Sequence, residues 1–333
     1  MSNLTSASEQ SYQGEPAIVL TYAGQEAIVL PAIGANLIAY RDNEKGYRFL
    51  REPKENEMDA FRANPGVNGI PVLFPPNRYE DGTFTWNGKT YTFPINEVET
   101  HNHLHGFLHT IPWNVDVYEA NAQSSSVLLS VSVDEHHEVY KYFPHLFTVK
   151  LKYTLSAEGL LQQIQIRNDG AEDMPVMLAF HTALNAPFAP DSKSEDMSFK
   201  ATIGERYQMT ERMLPTGEFQ PLSAWEEQFQ NDGANPSGEE ADNHYTAVPQ
   251  RGRNFTEITD TRLGVKLVYD VGTAYKHWMI WNNIACGEFI CPEPQTNLVN
   301  APNVDLPDDE KGLFRLEQGE IWEESSRLYT IES

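Results

Sequence analysis

Phe147-Thr148-Val149-Lys150-Leu151-Lys152-Tyr153-Thr154-Leu155 alternates apolar and polar residues without a break. Successive side chains of an extended chain point to opposite faces, so this run describes a strand with one buried face and one wet face. Neighbouring stretches repeat the pattern. Val127, Leu129, Val131 and Val133 alternate upstream, with Leu128, Ser130 and Ser132 between them. Downstream, Ile164 and Ile166 alternate with glutamines and an arginine. Val265, Leu267, Tyr269 and Val271 follow less cleanly, because Val268 falls on the other face. Turn signals separate such runs at Glu80-Asp81-Gly82, Asn168-Asp169-Gly170 and Pro215-Thr216-Gly217. The segment from Thr83 to Phe93, centred on Asn87-Gly88, predicts a β-hairpin. Long helical periodicity is nearly absent. Many strands and few, short helices predict an all-β fold: a large antiparallel β-sandwich. One domain is expected over residues 16–333, after a Ser/Gln/Glu-rich N-terminal segment, 1–15, expected to fray. The acidic stretch from Glu218 to Asn243, which contains Gly and Pro, is expected to be a surface excursion with little regular structure.

Composition narrows the partners. The chain has 333 residues, 40% hydrophobic and 11% aromatic, which is enough for a large core. Twenty-four basic against 48 acidic residues give a net charge of −24. Such a surface repels phosphate backbones and anionic lipid, so neither nucleic acid nor a membrane is an expected partner. No apolar run approaches the roughly 18 residues of a membrane span. Met1 to Gly14 lack the basic and apolar regions of a secretory signal. The two cysteines, Cys286 and Cys291, are too far apart for a CxxC pair and are expected to be reduced and mostly buried. These features predict a cytoplasmic protein, monomeric or homodimeric.

Polar residues in awkward places mark candidate chemistry. His101-Asn102-His103-Leu104-His105-Gly106-Phe107-Leu108-His109 is the densest. On an extended segment His101, His103 and His105 would share one side, and three imidazoles are costly to bury without partners. Asn77-Arg78 follows the apolar, proline-rich run Gly69 to Pro76, although the same arginine reads equally as a surface residue. His181 ends the apolar run Met174 to Phe180, where a lone histidine is more often a satisfied core residue. Asp242 precedes Asn243-His244-Tyr245, and a loop carboxylate is the plainer reading. Glu293 sits between Pro292 and Pro294 after an apolar strand. Stiffening suits a positioned carboxylate, because general acid–base catalysis requires fixed geometry. Imidazoles that exchange protons near neutrality, with carboxylates that accept protons or grip hydroxyls, suit a neutral polyhydroxylated substrate. Trp281 is an aromatic ring that can stack on a sugar face, or serve the core.

These landmarks, in this order, resemble the aldose 1-epimerase (galactose mutarotase-like) family from about Ala17 to the C-terminus. The blocks that carry the resemblance are Pro76-Asn77-Arg78 with Gly82-Thr83-Phe84 and Asn87 to Tyr91, Leu104-His105-Gly106 with Trp113, and Ile164 to Asn168 with Met174-Pro175 and Phe180-His181. Asp242 to Tyr245, and Cys291 to Gln295 with Asn300, complete the set. The resemblance implies a large antiparallel supersandwich with its active site in a groove on one sheet, and no cofactor or metal. It implies Glu293 as general base on the C1 hydroxyl and His181 as general acid on the ring oxygen. His105 and Arg78, with Asn77, would hold the substrate and its developing charge, and Asp242 would grip distant hydroxyls. The substrate class implied is a small sugar.

The chain departs from the family pattern in places. Phe107 stands where many members have a second glycine, and Thr182 to Asn185 replace an aromatic-rich continuation. His105-Gly106-Phe107 and Trp281-Asn282 lean toward hexose-6-phosphate 1-epimerases, but Leu108-His109 stand where those have a small residue and a phosphate-binding arginine. A neutral histidine is a poor substitute for a bidentate arginine clamp, so a free hexose is the expected substrate and a hexose 6-phosphate the alternative. Two other readings compete. A metal-dependent cupin would use His103-Leu104-His105, but it lacks the glutamate expected soon after. A non-catalytic sugar-binding protein would have no need of both His181 and Glu293. His136-His137 reads as a solvated polar turn.

Overall fold

The computed structural model describes residues 5–332. The predicted strands form and pair as antiparallel ladders. Ser124–Val133, Phe147–Ser156 and Gly159–Asn168 lie side by side at the heart of an eight-stranded sheet. Their register runs unbroken from Ser124↔Ser156 to Val133↔Phe147, and from Phe147↔Asn168 to Ser156↔Gly159. Phe147, Val149, Leu151, Tyr153 and Leu155 are buried, as the alternation requires. Ile321–Glu332, Val265–Asp270, Phe255–Asp260 and Met197–Ala201 extend this sheet on one side, and Asn114–Ala120 on the other.

A second eight-stranded sheet carries Ile203–Met209, Asp242–Ala247, His277–Trp281 and Phe289–Gln295, with shorter strands at its edge. A five-stranded N-terminal sheet runs from Ser6 to Arg48. One continuous core joins the three: Leu129, Val149 and Leu151 from the first, Tyr245, Trp278 and Ile280 from the second, Leu20 and Val29 from the third. The fold is therefore a large antiparallel β-sandwich, held mainly by side chains that alternate inward from facing sheets. Thr83–Trp86 and Lys89–Thr92 make the predicted hairpin, with Asn87 and Gly88 both in the left-handed region that a two-residue hairpin turn needs. No helix among the described residues is long and apolar enough to cross a membrane.

Five expectations need correction. The N-terminal segment does not fray where it is described. Ser6–Tyr12 pair with Glu15–Tyr22, Ser6 bonds Thr21 through their hydroxyls at 2.8 Å, and Tyr12 donates to Glu52 at 3.0 Å. A polar edge strand carries little hydrophobic signal, so its pairing was not legible; residues 1–4 lie outside the described residues. The stretch from Glu218 onward is also structured. Ser223 and Glu226 form a capping box at the start of the helix Ala224–Phe229, whose Trp225 and Phe229 are buried. Six residues are too few to display a helical period. Pro215-Thr216-Gly217 opens a strand, Pro215–Gln220, rather than a turn. Cys286 is exposed, while Cys291 is buried; neither is in a disulfide. The three alternating histidines do not all share a side. Only Asn102–Leu104 is extended, and His101 and His105 both take positive φ. His101 turns out to bond Asp81, His103 is buried against the Pro94 carbonyl, and His105 enters a cleft.

Candidate functional site

Glu293 owes its position to its neighbours. The strand Phe289–Gln295 pairs along its length with His277–Trp281. On its other side the ladder is broken: Leu184–Asn185 pair with Phe289 and Ile290, Ala179 pairs with Gln295, and the residues between are unpaired. Pro292 and Pro294 have no amide hydrogen to give a second strand. The chain from His181 to Ala183 loops away there, and the amides of His181 and Ala183 turn instead to Pro71 and Gly69. This detour brings the imidazole of His181 beside the carboxyl of Glu293, Nε2 to Oε1 at 3.2 Å, with both side chains almost wholly buried.

Arg78 and His105 are placed by one residue. Asn77 has positive φ, its side-chain oxygen accepts from the Arg78 amide at 2.9 Å, and its carbonyl accepts from the His105 amide at 2.9 Å. Gly106 then passes so close to the Phe74 carbonyl that a Cβ would lie 2.3 Å from its oxygen. Only glycine fits, and the close pass lets Phe107 donate to the same carbonyl. His105 thereby stands edge-on to His181, ring centres 5.3 Å apart, and Trp281 also packs against His181 at 5.9 Å.

All seven site residues predicted from sequence, Asn77, Arg78, His105, His181, Asp242, Trp281 and Glu293, line one cleft of about 510 Å³. Asp242 opens the strand Asp242–Ala247 opposite Trp281 and faces Arg78, its Oδ2 3.8 Å from Nη2. His103, His109 and Met279 also line the cleft and were not assigned from sequence. The histidine-rich stretch held the signal: of the three alternating histidines, His103 and His105 line the cleft and His101 does not.

Burial dominates the electrostatics. It pushes the Glu293 carboxyl well above the usual carboxylate range, Asp242 adding to the rise while Arg78 opposes it. It pushes His181 down, and His105 down as well, with help from His181 and His109. His109 falls to about 4, by burial and then His103. Asp242 is raised by burial, with Arg78 opposing and Glu97 assisting. In such surroundings the uncharged forms of Glu293 and His181 are favoured, so the pair holds one proton between two close atoms. Glu293 Oε2, His181 Nδ1 and His105 Nδ1 are buried without hydrogen-bond partners. Among the described residues, no group of three or more His, Cys, Asp or Glu is arranged to hold a metal ion. The arrangement suits proton transfer to and from a neutral polar ligand.

Comparisons with known proteins agree with this architecture. A galactose mutarotase-like protein from Clostridium acetobutylicum superposes with a TM-score of 0.94, at 32% identity over 99% of each chain. A putative aldose 1-epimerase from Escherichia coli shares the fold, with a TM-score of 0.72 at 16% identity over 99% of this chain and 100% of that one. Among curated sequences, a probable aldose 1-epimerase from Arthroderma benhamiae is 27% identical over 44% of this chain and 35% of its own length. An uncharacterized protein of Escherichia coli is 26% identical over 44% of each. The alignments thus span less than half the length of the curated relatives. The sequence model of the family described as aldose 1-epimerase matches residues 16–329, nearly the whole chain. Together with the sandwich fold and its cleft, that match shows that the chain belongs to the aldose 1-epimerase family.

Proposed function

We propose that the protein interconverts the α and β anomers of a free hexose by acid–base ring opening and closure. The observation that carries this reading is the 3.2 Å approach of His181 to Glu293 in a cleft that also holds Arg78, His105 and Asp242. With the shared proton moved from Glu293 to His181 Nε2 across their 3.2 Å contact, the Glu293 carboxylate takes the proton of the C1 hydroxyl. The C1–O5 bond breaks as the C1 carbonyl forms, and the ring oxygen takes a proton from His181 Nε2. Rotation about C1–C2 presents the other carbonyl face, and the steps reverse. Ring opening leaves Glu293 protonated and His181 neutral. Arg78 and His105 hydrogen-bond oxygens at the reacting end, Asp242 grips hydroxyls farther off, and Trp281 offers an aromatic face.

Charge favours a free sugar over a phosphorylated one. Among the described residues, Arg78 is the only lysine or arginine that lines the cleft, and Glu97 and Asp242 already face it. His109, where an arginine would serve a phosphate, is buried and uncharged near neutrality. The test is anomer exchange followed by polarimetry or exchange NMR on free and 6-phosphorylated hexoses. Accelerated exchange of a free hexose, with kcat/KM lower for the 6-phosphate by about a hundredfold or more, is expected. Sugar binding without acceleration would make this a carbohydrate-binding protein on an epimerase fold, and preference for the phosphate would reverse the substrate reading.

A further inference from the structure

Arg78 is shared between two carboxylates of different character. Glu97 grips it from behind: Arg78 Nε lies 3.0 and 3.1 Å from the two Glu97 oxygens, and Glu97 does not line the cleft. Asp242 meets it from the cleft side, more loosely, at 3.8 Å. Glu97 is itself tied down. Thr100 and Asn102 both donate to its Oε2, and its backbone exchanges hydrogen bonds with Asn102 at 3.0 and 3.1 Å. A remote part of the chain locks this turn: Arg212 donates to the Thr100 carbonyl at 2.9 Å, and its own carbonyl accepts from Asn102 at 3.0 Å. Burial pushes the Glu97 carboxyl up, but Thr100, Arg78 and Asn102 together hold it below the usual range, so it stays ionised as a counter-charge.

We infer that Glu97 is a positioning residue: it holds the Arg78 guanidinium back so that Arg78 and Asp242 both remain free for substrate hydroxyls. The inference rests on the proposed sugar-binding role of the cleft. Two opposite charges 3.8 Å apart in a partly buried site attract strongly. Without the opposing pull of Glu97, the guanidinium closes on Asp242. Each then satisfies the other, and the sugar must break that pair to bind. Glu97 does not line the cleft, so the cost falls mainly on binding.

The experiment compares wild type, Glu97→Gln, Glu97→Asp, Asp242→Asn and the Glu97→Gln/Asp242→Asn double variant. Anomer exchange of glucose and galactose gives kcat and KM, tryptophan fluorescence gives sugar dissociation constants, and melting midpoints report folding. Glu97→Gln should raise KM about tenfold with kcat changed by less than about threefold. Glu97→Asp should recover part of the loss, since it keeps the counter-charge. In the Asp242→Asn background the same glutamine substitution should change KM by less than about twofold, because the carboxylate that Arg78 would close on, Asp242, is gone. An unchanged KM in Glu97→Gln, an equal effect in both backgrounds, or a loss explained by the unfolded fraction would overturn the inference. Wild type that binds sugar without turning it over would sink the epimerase reading alone, and the dissociation constants would then decide the role of Glu97. Wild type that binds no sugar overturns both.

Discussion

The two eight-stranded sheets are built to different ends. The sheet around Phe147–Ser156 uses ten-residue strands in unbroken register, with mostly apolar residues at the inward positions and Ser125, Gln162 and Asn168 as buried polar exceptions. The sheet around Phe289–Gln295 is bordered by two-residue strands, interrupted by prolines, and buries His244, His277, Glu293 and Gln295. The first spends its geometry on stability. The second leaves a gap in its ladder, and the gap brings an imidazole and a carboxyl within reach of one ligand. Functional groups gather where regular pairing fails, because a complete ladder leaves no room for a side chain to arrive from outside it.

Breaking the contrast at the irregular sheet has the largest expected effect. Glu293→Gln and His181→Asn should each lower catalysed anomer exchange about a thousandfold or more, measured by polarimetry, with circular dichroism unchanged. Loss of the fold in both variants would mean that the irregular sheet is structural after all. Glu293→Gln also carries a signed stability prediction. Because the folded carboxyl titrates above its ordinary range, its neutral form contributes stability in full below the unfolded value, and this is lost as pH rises through the folded value. The glutamine variant should therefore gain on wild type in melting midpoint as pH rises above the ordinary carboxyl value of 4.5.

The regular sheet should respond in the opposite way. Leu151→Ala removes a fully buried side chain and should cost about 2–5 kcal/mol in urea unfolding, while kcat/KM of the folded protein stays within about twofold. A large activity loss at equal folded fraction would blur the division of labour.

Acid should sharpen it. Burial depresses His103, His105, His109, His145, His181, His244 and His277 below their ordinary value of 6.5. Below that value the unfolded chain takes up protons that the folded chain refuses, so stability is complete above it and lost as pH falls toward the folded values. His145 lies outside the cleft, bonded to Tyr91 at 2.7 Å, and titrates near 4 through burial and then Lys89. His145→Gln should flatten stability against pH by about 1.4 kcal/mol per unit between roughly pH 6 and pH 4. The smallest effect belongs to the outer face of the regular sheet. Lys150→Gln, at an exposed position, should change unfolding free energy by about 0.5 kcal/mol or less and leave activity alone.

Legibility followed the same division. The register-bearing strands announced themselves, because one buried face writes a period of two into the residues. Asn87-Gly88 announced its turn, because few other pairs tolerate two left-handed conformations. Pro292-Glu293-Pro294 and Asn77-Arg78 were conspicuous as polar groups in stiff, apolar settings. Residues that act by meeting a distant segment left no such trace. Glu97 sits in an ordinary polar loop and gains meaning only from Arg78 and Arg212. His101 looked equivalent to His105 until positive φ at both residues turned them to different surroundings.

The sequence by itself determined the alternation that makes a sandwich, the places where it turns, and the residue types that a proton-transfer site needs. Only the tertiary structure decided that residue 181 meets residue 293, that a proline-broken ladder opens the space for them, and that Arg78 stands between two carboxylates. Local patterns record which side of a strand faces water. Which two strands lie side by side depends on long-range packing, where burial of the whole core outweighs any preference written in a single segment.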